Sequence, residues 1–154
     1  MFINSANFSP YMRELQTFIT RVHNDFLSKF NCKKLVAESC LPIVFHSIDR
    51  FITQASLVRP LSDPVGKRKL LQDCDTLEPA LEPILNLVAS WNGSAIDKKL
   101  KEVAAFKTLL ETKTEDIGKI NTIIKHSIVL HMLFARAPVE MKYPHESVGW
   151  SISR

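Results

Sequence analysis

The sequence predicts an all-α fold, a bundle of five to six antiparallel helices, and three observations predict it. Only 4 of 154 residues are glycine, too few for the tight turns an all-β fold requires. Apolar residues recur at steps of three and four over most of the length, the period of one helix face. Cap residues followed by proline mark several helix starts along the chain.

The first helix opens at Ser9-Pro10, where serine can accept a hydrogen bond from an early amide and proline suits the first turn. Tyr11, Leu15, Phe18, Ile19, Val22, Phe26 and Phe30 form its apolar stripe, and Asn31 is the expected stop. A second stretch covers Lys33 to about Leu57 with Pro42 inside it. Proline removes a backbone donor and clashes with the preceding turn, so a new helix is expected to start at Pro42. Arg59-Pro60 ends that run, because the residue before proline avoids helical geometry.

Asp63-Pro64 begins a third helix that runs to about Trp91, with a kink or break expected around Pro79 and Pro83. Asn92-Gly93 closes it, and Ser94 is placed to cap a fourth helix reaching about Thr112. Thr114 is placed to cap a fifth, running to Ala137, whose isoleucines and leucines cover most of its circumference. A helix apolar nearly all round is expected at the centre of the bundle. Pro138 stops it. Pro144 can open a further helix toward Trp150, but too few residues follow to stabilise an isolated one, so residues 139–154 are expected to be frayed and poorly anchored. The whole chain, 1–154, reads as one helical-bundle domain that looks cut from a longer rod.

Composition narrows the function. The formal net charge is +4 and the pI about 9.0, a mild excess that bears on solubility and association more than on a named partner. Clustering of Lys67, Arg68, Lys69, Lys98, Lys99 and Lys101 on one face would favour the alternative reading, a basic helical binding module for nucleic acid or an acidic membrane surface. The N-terminus lacks the pattern of a signal peptide, and no run of about 18 apolar residues offers a membrane span. Three cysteines without a close pair make no disulfide framework. A reducing compartment is expected, the cytosol or the cytosolic face of an organelle.

No residue pattern in the sequence carries catalytic, cofactor-binding or metal chemistry, and the chain is expected not to be an enzyme. His126 and His131 are five apart and point in different directions, where a helical metal site needs three or four. Cys74 lies between Asp73 and Asp75, whose charges disfavour a thiolate. Gly66-Lys67 ends like a phosphate loop, but Arg68 holds the Ser/Thr position and the earlier glycine is missing.

Two segments carry a resemblance. One is Gln54-Ala55-Ser56-Leu57-Val58-Arg59-Pro60-Leu61 with Gly66-Lys67 and Leu70-Leu71-Gln72-Asp73; the other is Ser127-Ile128-Val129-Leu130 with Leu133-Phe134-Ala135-Arg136-Ala137-Pro138 and Trp150. In order and spacing they resemble the C-terminal region of the family of conserved oligomeric Golgi complex subunit 5, over about Phe45 to Trp150. The resemblance implies a stacked helical bundle of the vesicle-tethering type, a non-catalytic subunit at the cytosolic face of the Golgi membrane, and a role in retrograde intra-Golgi transport. It implies no cofactor. The implied partners are the other subunits of the complex, subunit 7 above all, with SNAREs and Rab proteins engaged by the whole complex. Leu57, Arg59, Pro60, Leu61, Phe134, Arg136, Pro138 and Trp150 are the motif residues, and a structural role is expected of them. Arg59 and Arg136 are each expected to turn back on the last carbonyls of their own helix, where a cation is favoured.

Overall fold

The structure, a computed structural model, describes residues 9–59, 63–119 and 123–136. Among these there are four α-helices and no strand: α1 (Pro10–Asp25), α2 (Lys33–Ser56), α3 (Pro64–Glu111) and α4 (His126–Arg136). Short 3-10 turns follow α1 at Leu27–Lys29 and α3 at Thr114–Lys119. The expectations for residues 60–62, for Pro138 and for the helix toward Trp150 lie outside the described residues.

Asp63 caps α3 as its position before proline predicts: its carboxylate accepts from the amides of Val65 and Gly66 at 3.0 and 3.1 Å. Although α3 holds 48 residues, it is not one rod. Asn92 leaves helical geometry (φ −149°, ψ 51°), and the chain turns back on itself there. Lys107 consequently reaches Asp75 at 2.6 Å, and Lys67 shares a cleft with Leu110 and Glu111. The two expected helices are therefore present as limbs 64–91 and 93–111, with the break at Asn92 itself. Pro79 and Pro83 interrupt neither limb.

Pro42 does not start a new helix either; α2 runs through it from Lys33 to Ser56. An internal proline costs about 3 kcal/mol. Val36, Ala37 and Cys40 before it and Val44, Ile48 and Ile52 after it are all buried on one continuous stripe. Each buried aliphatic side chain contributes roughly 1.5–3 kcal/mol, so packing against α3 outweighs the lost hydrogen bond. Pro42 itself faces solvent.

The long central helix expected from Thr114 to Ala137 is replaced by a 3-10 turn and the shorter α4. Gly118 and the β-branched Ile117, Ile120, Thr122, Ile123 and Ile124 are weak helix formers. Nor is the segment apolar-contacted all round: Ile117, Ile124, Ile128 and Met132 are buried, whereas Ile123 and Leu130 are more than half exposed. The first helix also ends earlier than Asn31, at Asp25. Of its stripe, Ile19 enters the core, joined by Met12 from outside the expected set, while Tyr11, Phe18, Phe26 and Phe30 remain at the surface.

One apolar core joins all four helices, with Phe106, Leu81, Val44 and Met132 fully enclosed. Lys34 of α2 lies beside Trp91 and Val58, just past its other end, beside Leu70, so α2 runs opposite to the first limb of α3. The joint between α1 and α2 and the reversal at Asn92 thus share one end of the molecule, and Asp63, Thr112 and Arg136 share the other.

Candidate functional site

An apolar groove of about 600 Å³ opens between α1, α2 and the first limb of α3. Leu70 and Leu77 line its floor; Tyr11, Met12 and Leu15 form one wall, and Phe51, Ala55 and Val58 the other. His46, Arg50 and Gln54 supply a polar rim. Met12 is 1% exposed and Leu15 packs against the core, so α1 lines the groove with the edge of the face it also turns inward.

The end of α1 is fixed beside this groove by a buried carboxylate. Asp73 is 2% exposed, and it accepts from the Ser9 amide at 3.0 Å, from the Ser9 hydroxyl at 2.7 Å and from the Tyr11 hydroxyl. Ser9 therefore does not cap α1 with its side chain; its hydroxyl serves the tie to α3. Burial, then the hydrogen bond to Asp73 and its charge, push the Tyr11 phenol well above its ordinary value. Sequence reasoning missed Asp73. Its signal was position: it stands three after Leu70 and four before Leu77, on the stripe that enters the core.

Arg136 makes a second, partly buried tie. Its guanidinium donates to the carbonyls of Leu109 and Thr112 at 2.5 Å and of Leu110 at 3.2 Å. These are the open carbonyls at the end of α3, so Arg136 serves another helix and not its own, as had been expected. Burial lowers the pKa of this guanidinium. Lys99 makes a third polar centre, donating to Asp49 at 2.6 Å and Glu102 at 2.8 Å with its ammonium 5.6 Å from the centre of the Phe45 ring. Burial opposes its charge, but the hydrogen bonds to both carboxylates outweigh that and raise its pKa.

The two motif segments meet. Ser56, near the end of α2, contacts His131 of α4 at 3.0 Å. Leu57 closes α2 and is 42% exposed; Arg59 and Phe134 are partly buried nearby in sequence. Pro60, Leu61, Pro138 and Trp150 lie outside the described residues.

The groups capable of chemistry are dispersed. Among the described residues no three of His, Cys, Asp and Glu stand close enough to hold a metal ion. Cys74 is buried, and burial, followed by the charges of Asp75 and Asp73, pushes its thiol up to about 12, so it carries no thiolate at neutral pH. Burial likewise raises Cys40. Glu78 and Glu82 are exposed along α3. The six basic residues of the alternative reading do not gather on one face: Lys67, Arg68 and Lys69 stand at the start of α3, Lys98 and Lys101 in its second limb near the reversal, and Lys99 is already paired. Given the register set by Lys107 and Asp75, the two groups are separated by roughly 20 Å along the helix axis. No described helix is long and apolar enough to cross a membrane.

Three relatives match nearly the whole chain. It is 36% identical over 149 residues to "Conserved oligomeric Golgi complex subunit 5" of Mus musculus, covering 95% of this chain and 17% of that protein. Against the protein of the same name from Drosophila melanogaster it is 28% identical over 146 residues, covering 95% and 19%. The Arabidopsis thaliana protein of that name is 33% identical over 154 residues, covering 90% and 17%. The chain thus spans less than a fifth of the length of these relatives. No family model matches it, and no solved structure matches it.

Proposed function

The chain belongs to the family of conserved oligomeric Golgi complex subunit 5 over the stretch it shares with these relatives, and from that premise we propose that it is a non-catalytic, protein-binding part of a Golgi tethering complex that supports retrograde intra-Golgi transport at the cytosolic face of the membrane. The observation that carries the reading is the apolar groove between α1 and α2. A helix laid into such a groove buries an apolar face against preformed walls, and the polar rim of His46, Arg50 and Gln54 sets its register. A tether subunit needs stiffness and binding faces, and the long-range ties through Asp73 and Arg136 supply stiffness without chemistry. Other subunits of the complex, subunit 7 first, are the proposed occupants, and SNAREs and Rab proteins are met by the whole complex.

The separation of the two lysine groups disfavours a nucleic-acid module, which concentrates charge on one face. The test is capture from cytosol with the chain as bait and mass spectrometry as readout. Subunits of the Golgi tether should dominate the recovered proteins, and should be lost on Leu15→Glu or Val58→Glu in the groove. Recovery unrelated to any tether subunit, or capture indifferent to both substitutions, overturns the reading.

A further inference from the structure

The groove does not account for the end of the molecule where α1 joins α2. Phe26, Phe30 and Leu35 stand there 63%, 52% and 61% exposed, and the ten residues from Phe26 to Leu35 contain Lys29, Lys33 and Lys34 and no acid. All three lysines are at the surface. Lys33 folds back on the Ser28 carbonyl at 3.2 Å. The nearest counter-charges in sequence are Asp25 at the end of α1 and Glu38, which lies 3.9 Å from Lys34 with both side chains more than half exposed, so that pair is weak. The reversal of α3 adds to the same end, because Lys34 and Glu38 share a cleft with Trp91 and Asn92, and Trp91 is 54% exposed. Ser9 and Arg136 are both remote from this tip. Ser9 lies at Asp73, eighteen residues before Trp91 on one helix limb, about 27 Å away.

We propose that this tip is a membrane contact: Phe26, Phe30, Leu35 and Trp91 enter the headgroup layer of a bilayer rich in anionic phospholipid, and Lys29, Lys33 and Lys34 bind its phosphates. Charge complementarity chooses the occupant. Exposed apolar side chains alone would suit any hydrophobic partner, but here they alternate in sequence with three surface lysines, a residue type whose long stem can lie along apolar surface while its ammonium reaches a phosphate. A single signal holds a protein on a bilayer only marginally, and an apolar insertion joined to a basic cluster supplies two. Aromatic side chains, tryptophan above all, settle at the headgroup level. A helical protein partner would need a groove several turns long, and the tip is a projecting corner between helix ends. The contact is independent of which proteins occupy the groove, so the two assignments can fail separately.

The experiment is co-sedimentation of the full chain with vesicles of phosphatidylcholine alone and of equal parts phosphatidylcholine and phosphatidylserine, at physiological salt. Binding to the acidic vesicles only is expected. Replacing Lys29, Lys33 and Lys34 together by glutamine should weaken partitioning about a hundredfold, at about fivefold per lysine. The same change at Lys67, Arg68 and Lys69 on the far end serves as the control and should alter it less than about threefold, since those charges lie beyond the screening length. Circular dichroism checks that both variants fold. In the otherwise unmodified chain carrying Trp150→Phe, Trp91 fluorescence should be quenched by brominated lipid. Absence of binding to acidic vesicles, equal losses in the two lysine variants, or an unquenched Trp91 each overturns the proposal. Capture of a tether subunit that depends on the tip lysines while vesicle binding is absent would assign the tip to a protein instead, and overturns it as well.

Discussion

The Ser56 hydroxyl lies 3.0 Å from Nδ1 of His131, joining the end of α2 to α4 across 75 residues of sequence. Ser56 is fully buried, and its proton is already given to the Thr53 carbonyl at 2.7 Å. A hydroxyl has one proton, so it must accept from the ring. The neutral imidazole of His131 is therefore expected to carry its proton on Nδ1, and nitrogen-detected NMR of the labelled ring reads this directly. Ser56→Ala should shift that resonance and lower stability by about 1 kcal/mol in urea. An Nε2-protonated ring in the parent chain would refute the assignment.

Removing the Asp73 carboxylate should release α1. Ser9 and Tyr11 lose their common acceptor, and hydrogen bonds to a charged group are worth about 1.5–3 kcal/mol. Asp73→Ala is expected to cost that order in global stability, and to raise hydrogen exchange in residues 10–25 more than in 93–111. Uniform loss of protection across both stretches would show that the tie is not local to α1.

Stability should fall in alkali before lysine deprotonation begins to matter. The Cys74 thiol ionises at 9.0 when unfolded and at about 12 when folded. Between those values the unfolded chain binds fewer protons, so its contribution is complete below pH 9.0 and declines as pH rises. The Tyr11 phenol, also raised by burial and by Asp73, acts in the same direction above its ordinary 10.0. Urea midpoints from pH 8 to 11 should decline less steeply in Cys74→Ala and Tyr11→Phe than in the parent. Alkylation at neutral pH should label the exposed Cys32 far faster than the buried Cys40 and Cys74.

Arg136→Ala should leave the carbonyls of Leu109, Leu110 and Thr112 without their donor. A loss of about 2–3 kcal/mol is expected, with the melting temperature as readout. Arg136→Lys should recover only part of it, because one ammonium cannot reproduce the planar fork that reaches several acceptors. Full recovery by lysine would mean that charge at the helix end matters and fork geometry does not.

The features legible in the sequence are those decided within a few residues. Asp63 before Pro64 caps α3 through its own next two amides, and Asn92-Gly93 breaks the helix where two poor helix formers stand together. Pro42 misled because its outcome depends on what Val44 and Ile48 pack against, ten or more residues of partner helix away. In the run from Thr114 hydrophobicity does not imply a continuous helix, because Gly118 and the β-branched residues around it resist one. Ser9 and Arg136 were assigned to the nearest helix ends, whereas their partners stand 64 and 24 to 27 residues distant. Such ties depend on the tertiary arrangement. The groove was equally hidden, since α1 showed a wide apolar stripe without showing which part of it the core would use.

The reversal at Asn92 also sets an order of assembly. Its two limbs adjoin in sequence, so the Asp75–Lys107 pair closes a loop of only 32 residues. The Ser9–Asp73 tie closes 64 and the Ser56–His131 contact 75. Each doubling of loop length costs only about 0.6 kcal/mol in closure entropy, but the long loops gain little until the hairpin offers them a surface to dock on. The hairpin is therefore the expected nucleus, with α1 and α4 condensing on it late. Substitutions at Val103 or Phe106 should slow refolding, while those at Met12 or Met132 should mainly hasten unfolding. A chain that emerges in order from Ser9 to Arg136 would then hold α1 undocked until Asp73 and the first limb of α3 have followed it, leaving Met12 and Ile19 uncovered for the time it takes to make some fifty further residues.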